Sequence, residues 1–233
     1  MKGKKLVSPK LERILKKIKD EKLRKKVAEV LENPTVEIEG KTFQGFSLED
    51  SPAALRHHHA YKGGLVEHIV ATAEIALTLC KIVKKVYGGK VNRDVILAGV
   101  LLHDVFKPVT YVVGENGSYR SSPIGEKLDH LSLVVSELMR RGFPLEVVHA
   151  VCAHHGEYGM MKPKTLEALV CFLADYTDSQ LNGEVLRAAR HLAREATGEE
   201  LEEITAKEAF EIVHLKAAEG LEEVRKFLEK RRG

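Results

Sequence analysis

The stretch DVILAGVLLHDVFK, residues 94–107, decides how this chain folds. From Asp94 to about Phe106 it reads as a helix that is apolar on nearly every side, and such a helix belongs in the middle of a fold. At its end stand His103 and Asp104. Burying an unpaired carboxylate costs several kcal/mol, so Asp104 requires a counter-charge.

Working outward, other titratable residues fall where helices should be apolar. His68 shares a stripe with Leu65, Ile75 and Leu79 in a helix from Leu65 to about Val86. His130 lines up with Val134 and Leu138, His154 and His155 close the segment VVHAVCAHHG, and Asp175 lies with Ala168, Cys171 and Phe172. Any one of these alone reads as a hydrogen-bonded core histidine or a buried cap. Together they place five imidazoles and two carboxylates on inner helix faces with no buried Arg, and metal ions are the natural partner. Nine of the 11 histidines lie between His57 and His155, a concentration that points the same way.

The 233 residues are 44% apolar and 30% charged, the balance of a globular chain rather than a disordered one. No apolar run approaches the roughly 18–20 residues that cross a bilayer. The opening MKGKKLVSPKLERILKKIKD develops no apolar signal-peptide core. Cys80, Cys152 and Cys171 form no CxxC pair and read as buried thiols, so the expected location is a reducing cytoplasm. With 27 Glu, 7 Asp and two Gln, the composition resembles that of a thermophile.

Residues 1–30 carry 12 Lys/Arg and four acids, and Leu11, Ile14, Leu15, Ile18, Leu23, Val27 and Val30 recur at helical spacing. This amphipathic segment has a basic outer face that either tracks a phosphate backbone or is simply solvated. A short hairpin is expected around Gly40 within residues 35–46, and a second over 109–122 with its turn at Glu115-Asn116-Gly117. Helical patterns cover 127–141, 144–155, 164–181 and 183–196. Two more helices follow, opened by Thr197…Glu200 and Thr205…Glu208, both of capping-box form. The expected architecture is mainly α, with one or two small β-hairpins.

On these residues the chain resembles the HD-domain metal-dependent phosphohydrolases: His68, then His103-Asp104, then Asp175, with Lys107 three residues after Asp104. Within that superfamily it is similar to the HD domain of YhaM-type 3′–5′ exoribonucleases. The matching stretches are HHAYKGGLVEH (58–68), LLHDVFK (101–107), AHHGEYG (153–159) and the run from Pro163 to Asp175. The resemblance implies an HD-domain helical bundle over residues 51–181. Residues 1–50 then form a basic amphipathic helix with a short hairpin, and 182–233 form C-terminal helices packed on the core. Those last helices are read as a dimer surface, a lid or further core.

The resemblance also implies a ligand set. One divalent ion is held by His68, His103, Asp104 and Asp175, and a second by His130, His154 and His155, with Asp104 bridging. Imidazole and carboxylate suit Mn²⁺ first, with Fe²⁺, Co²⁺ or Ni²⁺ also usable. Two such ions against two carboxylates and a hydroxide leave about +1, which favours a phosphate-containing substrate. A metal-activated water, with Asp104 and Lys107 as catalytic residues, would hydrolyse it. Lys107 reads either as a charge clamp on the phosphoryl group or as a helix C-terminal lysine. His58, His59, Lys62 and Tyr158 are candidate substrate contacts; the two histidines read equally as an exposed loop cluster. Arg56 and Lys162 also border the motifs. Asp178, one turn after Asp175, reads as a solvated carboxylate or as an outer partner of the site, and His149 as structural.

Four departures shape the expected function. Only about 50 residues precede the match, too few for the OB-type domain of those exonucleases. Residues 125–130 read GEKLDH rather than ending in a Gly-His pair, and no GYP motif follows His154-His155, which argues against cyclic di-GMP hydrolysis. Gly64 stands where trinuclear relatives carry a Glu, so a third ion is not expected. The leading expectation is hydrolysis of phosphodiester bonds in single-stranded nucleic acid from the 3′ end. Its alternatives are a nucleotidase or cyclic nucleotide phosphodiesterase, and a nucleotide-binding module with little turnover.

Overall fold

The structure, a computed structural model, describes residues 8–114, 117–201 and 203–232. Its first half contains α1 (Pro9–Leu15), α2 (Glu21–Glu32), β1 (Thr35–Ile38), β2 (Lys41–Gln44), α3 (Gly64–Lys85), α4 (Arg93–Leu102) and α5 (Lys107–Thr110). There follow β3 (Tyr111–Val113), β4 (Tyr119–Ser121), α6 (His130–Arg140), α7 (Leu145–Cys152), α8 (Leu166–Thr197), α9 (Ala206–Ala218) and α10 (Leu221–Arg232).

Helix α4 is the centre, with every residue from Val95 to Leu102 buried. Its N-terminus is fixed by Asn92, whose side chain accepts from Asp94 N and Val95 N. Helices α1, α2, α3, α7 and α8 pack around it, and α6 packs on α7. The helix ends four residues earlier than its apolar pattern suggests. Val105 N donates to Leu102 O and Lys107 N to Asp104 O, tightening the chain into i→i+3 turns before Pro108, which has no N–H to continue the ladder. His103 and Asp104 therefore sit on a tight buried turn rather than inside a helix.

The N-terminal segment is two helices. Asp20 caps α2 by accepting from Leu23 N at 3.0 Å, and Asp94 accepts from Lys19 N and Asp20 N at 3.0 and 2.8 Å, tying the break to the start of α4. Leu11, Ile14, Ile18, Val27 and Val30 are fully buried in the same core as α3 and α4. Both hairpins form: β1 pairs with β2 in antiparallel register Thr35↔Gln44, and β3 with β4 as Tyr111↔Ser121. The first turns through Glu39 and Gly40, both left-handed at φ 52° and 71°. Of the second turn, Gly117 is left-handed at φ 80°, while Glu115 and Asn116 lie outside the described residues.

No break separates 164–181 from 183–196. Helix α8 runs through Asn182, which is buried and accepts from His59 N at 2.6 Å, so tertiary bonding overrides the weak propensity of the Asn182-Gly183 pair. The second half of α8 packs against α9 and α10 around Leu186, Ala189, Ile204, Ile212, Val224 and Leu228, a second apolar cluster. The expected capping box at Thr197 does not form; that residue is the last of α8, donates to Ala193 O, and is followed by left-handed Gly198. Thr205 and Glu208 make the other box with both reciprocal bonds. Among the described residues no helix is long and apolar enough to cross a membrane.

Candidate metal centre

Five elements converge around Asp104. Helix α3 brings His68, the turn after α4 brings His103 and Asp104, the end of α7 leads to His154 and His155, and α8 brings Asp175. His130 opens α6, where Asp129 caps the helix by accepting from Ser132 N at 2.7 Å. The seven residues singled out from sequence therefore come together.

They fall into two groups. In the first, His68 Nε2 lies 3.1 Å from His103 Nε2 and 3.1 Å from Asp175 Oδ1. In the second, ligand atoms of His130, His154 and His155 lie within 4.8 Å of one another. The two oxygens of Asp104 divide between them. Oδ2 is 3.5 Å from His68 Nε2 and 3.4 Å from His103 Nε2, whereas Oδ1 is 3.1 Å from His130 Nε2 and 3.9 Å from His154 Nε2.

The free nitrogens are fixed by what the other ring nitrogen does. His103 Nδ1 donates to Val100 O at 2.9 Å and His154 Nδ1 to Val151 O at 2.6 Å, each to the carbonyl three residues back. His68 Nδ1 donates to Asp178 Oδ2 at 2.7 Å. Each bond leaves the Nε2 lone pair facing the centre, the arrangement of a metal-ligating imidazole. Asp104 Oδ1 and His130 Nε2 are buried without a hydrogen-bond partner, close together but not aligned to bond each other. Two unsatisfied buried acceptors turned on one space fit a shared cation. The residues present thus suit divalent metal in both groups.

Charge follows the same geometry. Burial opposes protonation of His68, yet Asp175 and Asp178 outweigh it and hold its pKa up at about 9, so a divalent ion would compete with a proton for Nε2. Burial raises the Asp104 carboxyl, but Lys107 and His103 overcome it and hold it well below the usual range. Lys107 is buried, its Nζ 2.5 Å from Asp104 Oδ2. It begins α5 and faces the site, so the alternative of a helix C-terminal lysine complementing the dipole is set aside.

Beside these groups lies a pocket of about 260 Å³ lined in part by His58, Lys107, His155, Tyr158, Phe172 and Tyr176. Tyr158 and Tyr176 stack with centroids 6.0 Å apart and planes 17° from parallel, and Phe172 leans on Tyr176 at 5.8 Å. Gly156, left-handed at φ 54°, leaves room for that wall: a Cβ there would meet the Phe172 ring at 2.3 Å. His58 lines the pocket with its Nε2 buried and unpartnered, and burial pushes its pKa down to about 3.

Two expected substrate contacts are placed elsewhere. His59 is buried and spent on neighbours: Nε2 lies 2.9 Å from Asp178 Oδ2 and Nδ1 2.9 Å from the Tyr61 hydroxyl, which donates to Glu67. Lys62 is exposed, pairs with Asp50 at 3.0 Å and does not line the pocket. Lys162 pairs with Glu157. His149 accepts from Lys164 N at 2.9 Å, a structural role. Asp178 is buried and bonded to both His59 and His68, which overturns the reading of a solvated carboxylate. Phe172 and Tyr176 were not legible as site residues, since aromatics at helical spacing read as core. Gly64 has no room for a side chain, because a Cβ would sit 2.1 Å from His59 O.

The described part of the N-terminal basic face lies off the site, while Lys2, Lys4 and Lys5 fall outside the described residues. Lys10, Arg13, Lys16 and Lys17 pair with Glu67, Glu74, Glu12 and Glu74, and none lines the pocket.

Comparison with known proteins matches residues 65–180 to the HD domain. The chain is 39% identical over 213 residues to the dihydroneopterin 2′,3′-cyclic phosphate phosphodiesterase of Methanocaldococcus jannaschii, covering 90% of this chain and 85% of that one. It is 37% identical over 144 residues to the 3′-5′ exoribonuclease YhaM of Listeria monocytogenes, covering 57% of this chain and 44% of the relative. With YhaM of Bacillus subtilis the identity is 32% over 170 residues, covering 68% and 51%. The chain thus spans about half the length of those exoribonucleases. No solved structure matches. The family match, the relative similar along nearly the whole chain and the His/Asp centre agree: the chain belongs to the HD-domain family of metal-dependent phosphohydrolases.

Proposed function

We propose that this protein is a dinuclear phosphodiesterase that opens a 2′,3′-cyclic phosphate to a phosphomonoester. The single observation that carries this reading is the small pocket, about 260 Å³, whose lining joins Asp104 and Lys107 to the Tyr158–Tyr176 stack. That shape suits a phosphodiester joined to a planar heterocycle. The 39% identity to a cyclic phosphate phosphodiesterase over most of both chains supports the same reading.

His68, His103 and Asp175 would hold one ion, His130, His154 and His155 the other, with Asp104 between them; Mn²⁺ suits this imidazole and carboxylate set. Bound there, such ions supply Lewis-acid polarisation and an acidified water. The chain's own residues do the rest. Lys107 places a buried ammonium where the phosphoryl oxygens gain charge. His58, neutral and unpartnered at its Nε2, lies where it can hydrogen-bond a phosphate oxygen. The aromatic wall orients the heterocycle. Hydrolysis adds water across one P–O bond of the ring, leaving one phosphomonoester and one free ribose hydroxyl.

The test is product analysis after incubating the Mn²⁺-loaded protein with nucleoside 2′,3′-cyclic phosphates, mononucleotides and 5′-labelled RNA and DNA. Ring opening with mononucleotides left intact supports the reading. Release of inorganic phosphate from mononucleotides, or a shortening ladder without ring opening, contradicts it.

A further inference from the structure

Beside the metal pocket opens a second cleft of about 1040 Å³, and the two share His58 and Ser179. Its lining includes Arg56, Arg187, Arg190 and Arg194, against only two acids, Glu184 and Glu200. Arg187 pairs with Glu184, and Arg194 lies 2.9 Å from Glu200, but both pairs are mostly exposed. Such pairs contribute little, so a phosphate can take over either guanidinium. Arg56 and Arg190 have no ion-pair partner among the described residues.

Spacing says what kind of anion fits. Arg187, Arg190 and Arg194 sit in one continuous helix and span about 10 Å along it, at roughly 1.5 Å per residue. Arg187 is about 18 Å along the same helix from Asp175, farther than a single nucleotide reaches while its phosphate lies at Asp104. The row therefore suits a chain of phosphates leading away from the metal pocket. No aromatic ring other than histidine lines the cleft, so it offers contacts to a backbone rather than stacking for bases.

We infer that the substrate is a single-stranded RNA ending in a 2′,3′-cyclic phosphate, whose upstream backbone lies along the arginine row of α8. The inference rests on the cyclic-phosphate reading above. A 2′,3′-cyclic phosphate uses both hydroxyls of a ribose, so it closes a strand only at its 3′ end, and the remaining strand extends from the 5′ side. Terminal phosphate at Asp104 and strand in the cleft follow from that chemistry.

The test compares the wild-type protein, the triple variant Arg187→Ala, Arg190→Ala, Arg194→Ala, and the corresponding triple Lys variant. Binding is read by fluorescence anisotropy with a labelled oligouridylate carrying a 3′-phosphate. Turnover is read on an oligouridylate with a terminal 2′,3′-cyclic phosphate and on uridine 2′,3′-cyclic phosphate. The alanine variant is expected to bind the oligomer at least tenfold more weakly. Its log–log salt slope should fall by about 2, from roughly 0.7 per lost phosphate contact. The ratio of kcat/KM for oligomer over mononucleotide should drop at least tenfold, and the lysine variant should keep most of both. Unchanged affinity and ratio in the alanine variant would overturn the arginine track while leaving cyclic-phosphate hydrolysis standing. Loss of oligomer binding with no ring opening of either substrate, even by wild type, would overturn the cyclic-phosphate reading and with it the substrate named here.

Discussion

His68 and Asp178 are joined by a 2.7 Å hydrogen bond from Nδ1 to Oδ2, and this bond turns His68 Nε2 toward Asp104 and Asp175. Asp178 also faces His59 Nε2 at 2.9 Å, so one carboxylate anchors the 51–63 loop and the His68 imidazole together. Loss of such an outer partner typically lowers metal affinity or activity about 10- to 100-fold. Asp178→Asn is expected to show that loss in a chelator-competition titration, with turnover partly restored by excess Mn²⁺. Unchanged affinity would reduce Asp178 to a packing residue.

Lys107 is the one buried ammonium beside the phosphate space among the described residues. Lys107→Met is expected to retain metal while turnover falls about 100- to 1000-fold, the usual effect of removing one preorganised charge stabiliser. The measurement is single-turnover kinetics on metal-loaded protein. Metal loss in parallel with activity would instead make Lys107 a structural partner of Asp104.

Tyr176 stacks on Tyr158 at the pocket mouth. Base–aromatic stacking contributes about 1–3 kcal/mol per ring, so Tyr176→Ala should raise KM roughly tenfold and change kcat less. Steady-state kinetics on a nucleoside 2′,3′-cyclic phosphate separates the two parameters. A fall in kcat at constant KM would place Tyr176 in the chemistry rather than in binding.

Glu137 carries a pH-dependent share of stability. It is buried, and although burial raises its pKa, Arg140 and Arg141 hold it below the ordinary 4.5. A depressed carboxylate contributes stability above its unfolded pKa and loses it as pH falls through the folded value. Arg140 is half exposed and screened, so the share comes chiefly through Arg141. Glu137→Gln is expected to cost about 1–3 kcal/mol near neutral pH, with the gap to wild type closing in acid. Urea denaturation across pH measures it; a gap constant with pH would contradict the ion-pair origin.

The central helix and the convergence of its neighbours were legible because burial and charge conflict visibly there. A run such as VILAGVLL has only one place in a fold, and His103-Asp104 at its end demands a partner. Both hairpins and the Thr205…Glu208 box were legible from local turn and cap chemistry. Asp178 was legible only as one of two alternatives, because a carboxylate one turn beyond another reads as solvated or as an outer partner until His59 and His68 are seen bonded to it. The continuity of α8 was hidden by Asn182-Gly183, whose weak propensity is overcome by a bond to His59 N that no local pattern reveals. Arg187, Arg190 and Arg194 belong to no motif that sequence reading singles out; the role inferred for them comes only from their position in the cleft beside the pocket.

Asp104 is proposed to bridge a pair of ions. The most direct measurement is metal content per chain, by elemental analysis of Mn²⁺-loaded wild type and of Asp104→Ala. Two ions in wild type and no more than one in the variant are expected. Fewer than two in wild type, or two retained in Asp104→Ala, would contradict a pair bridged by Asp104.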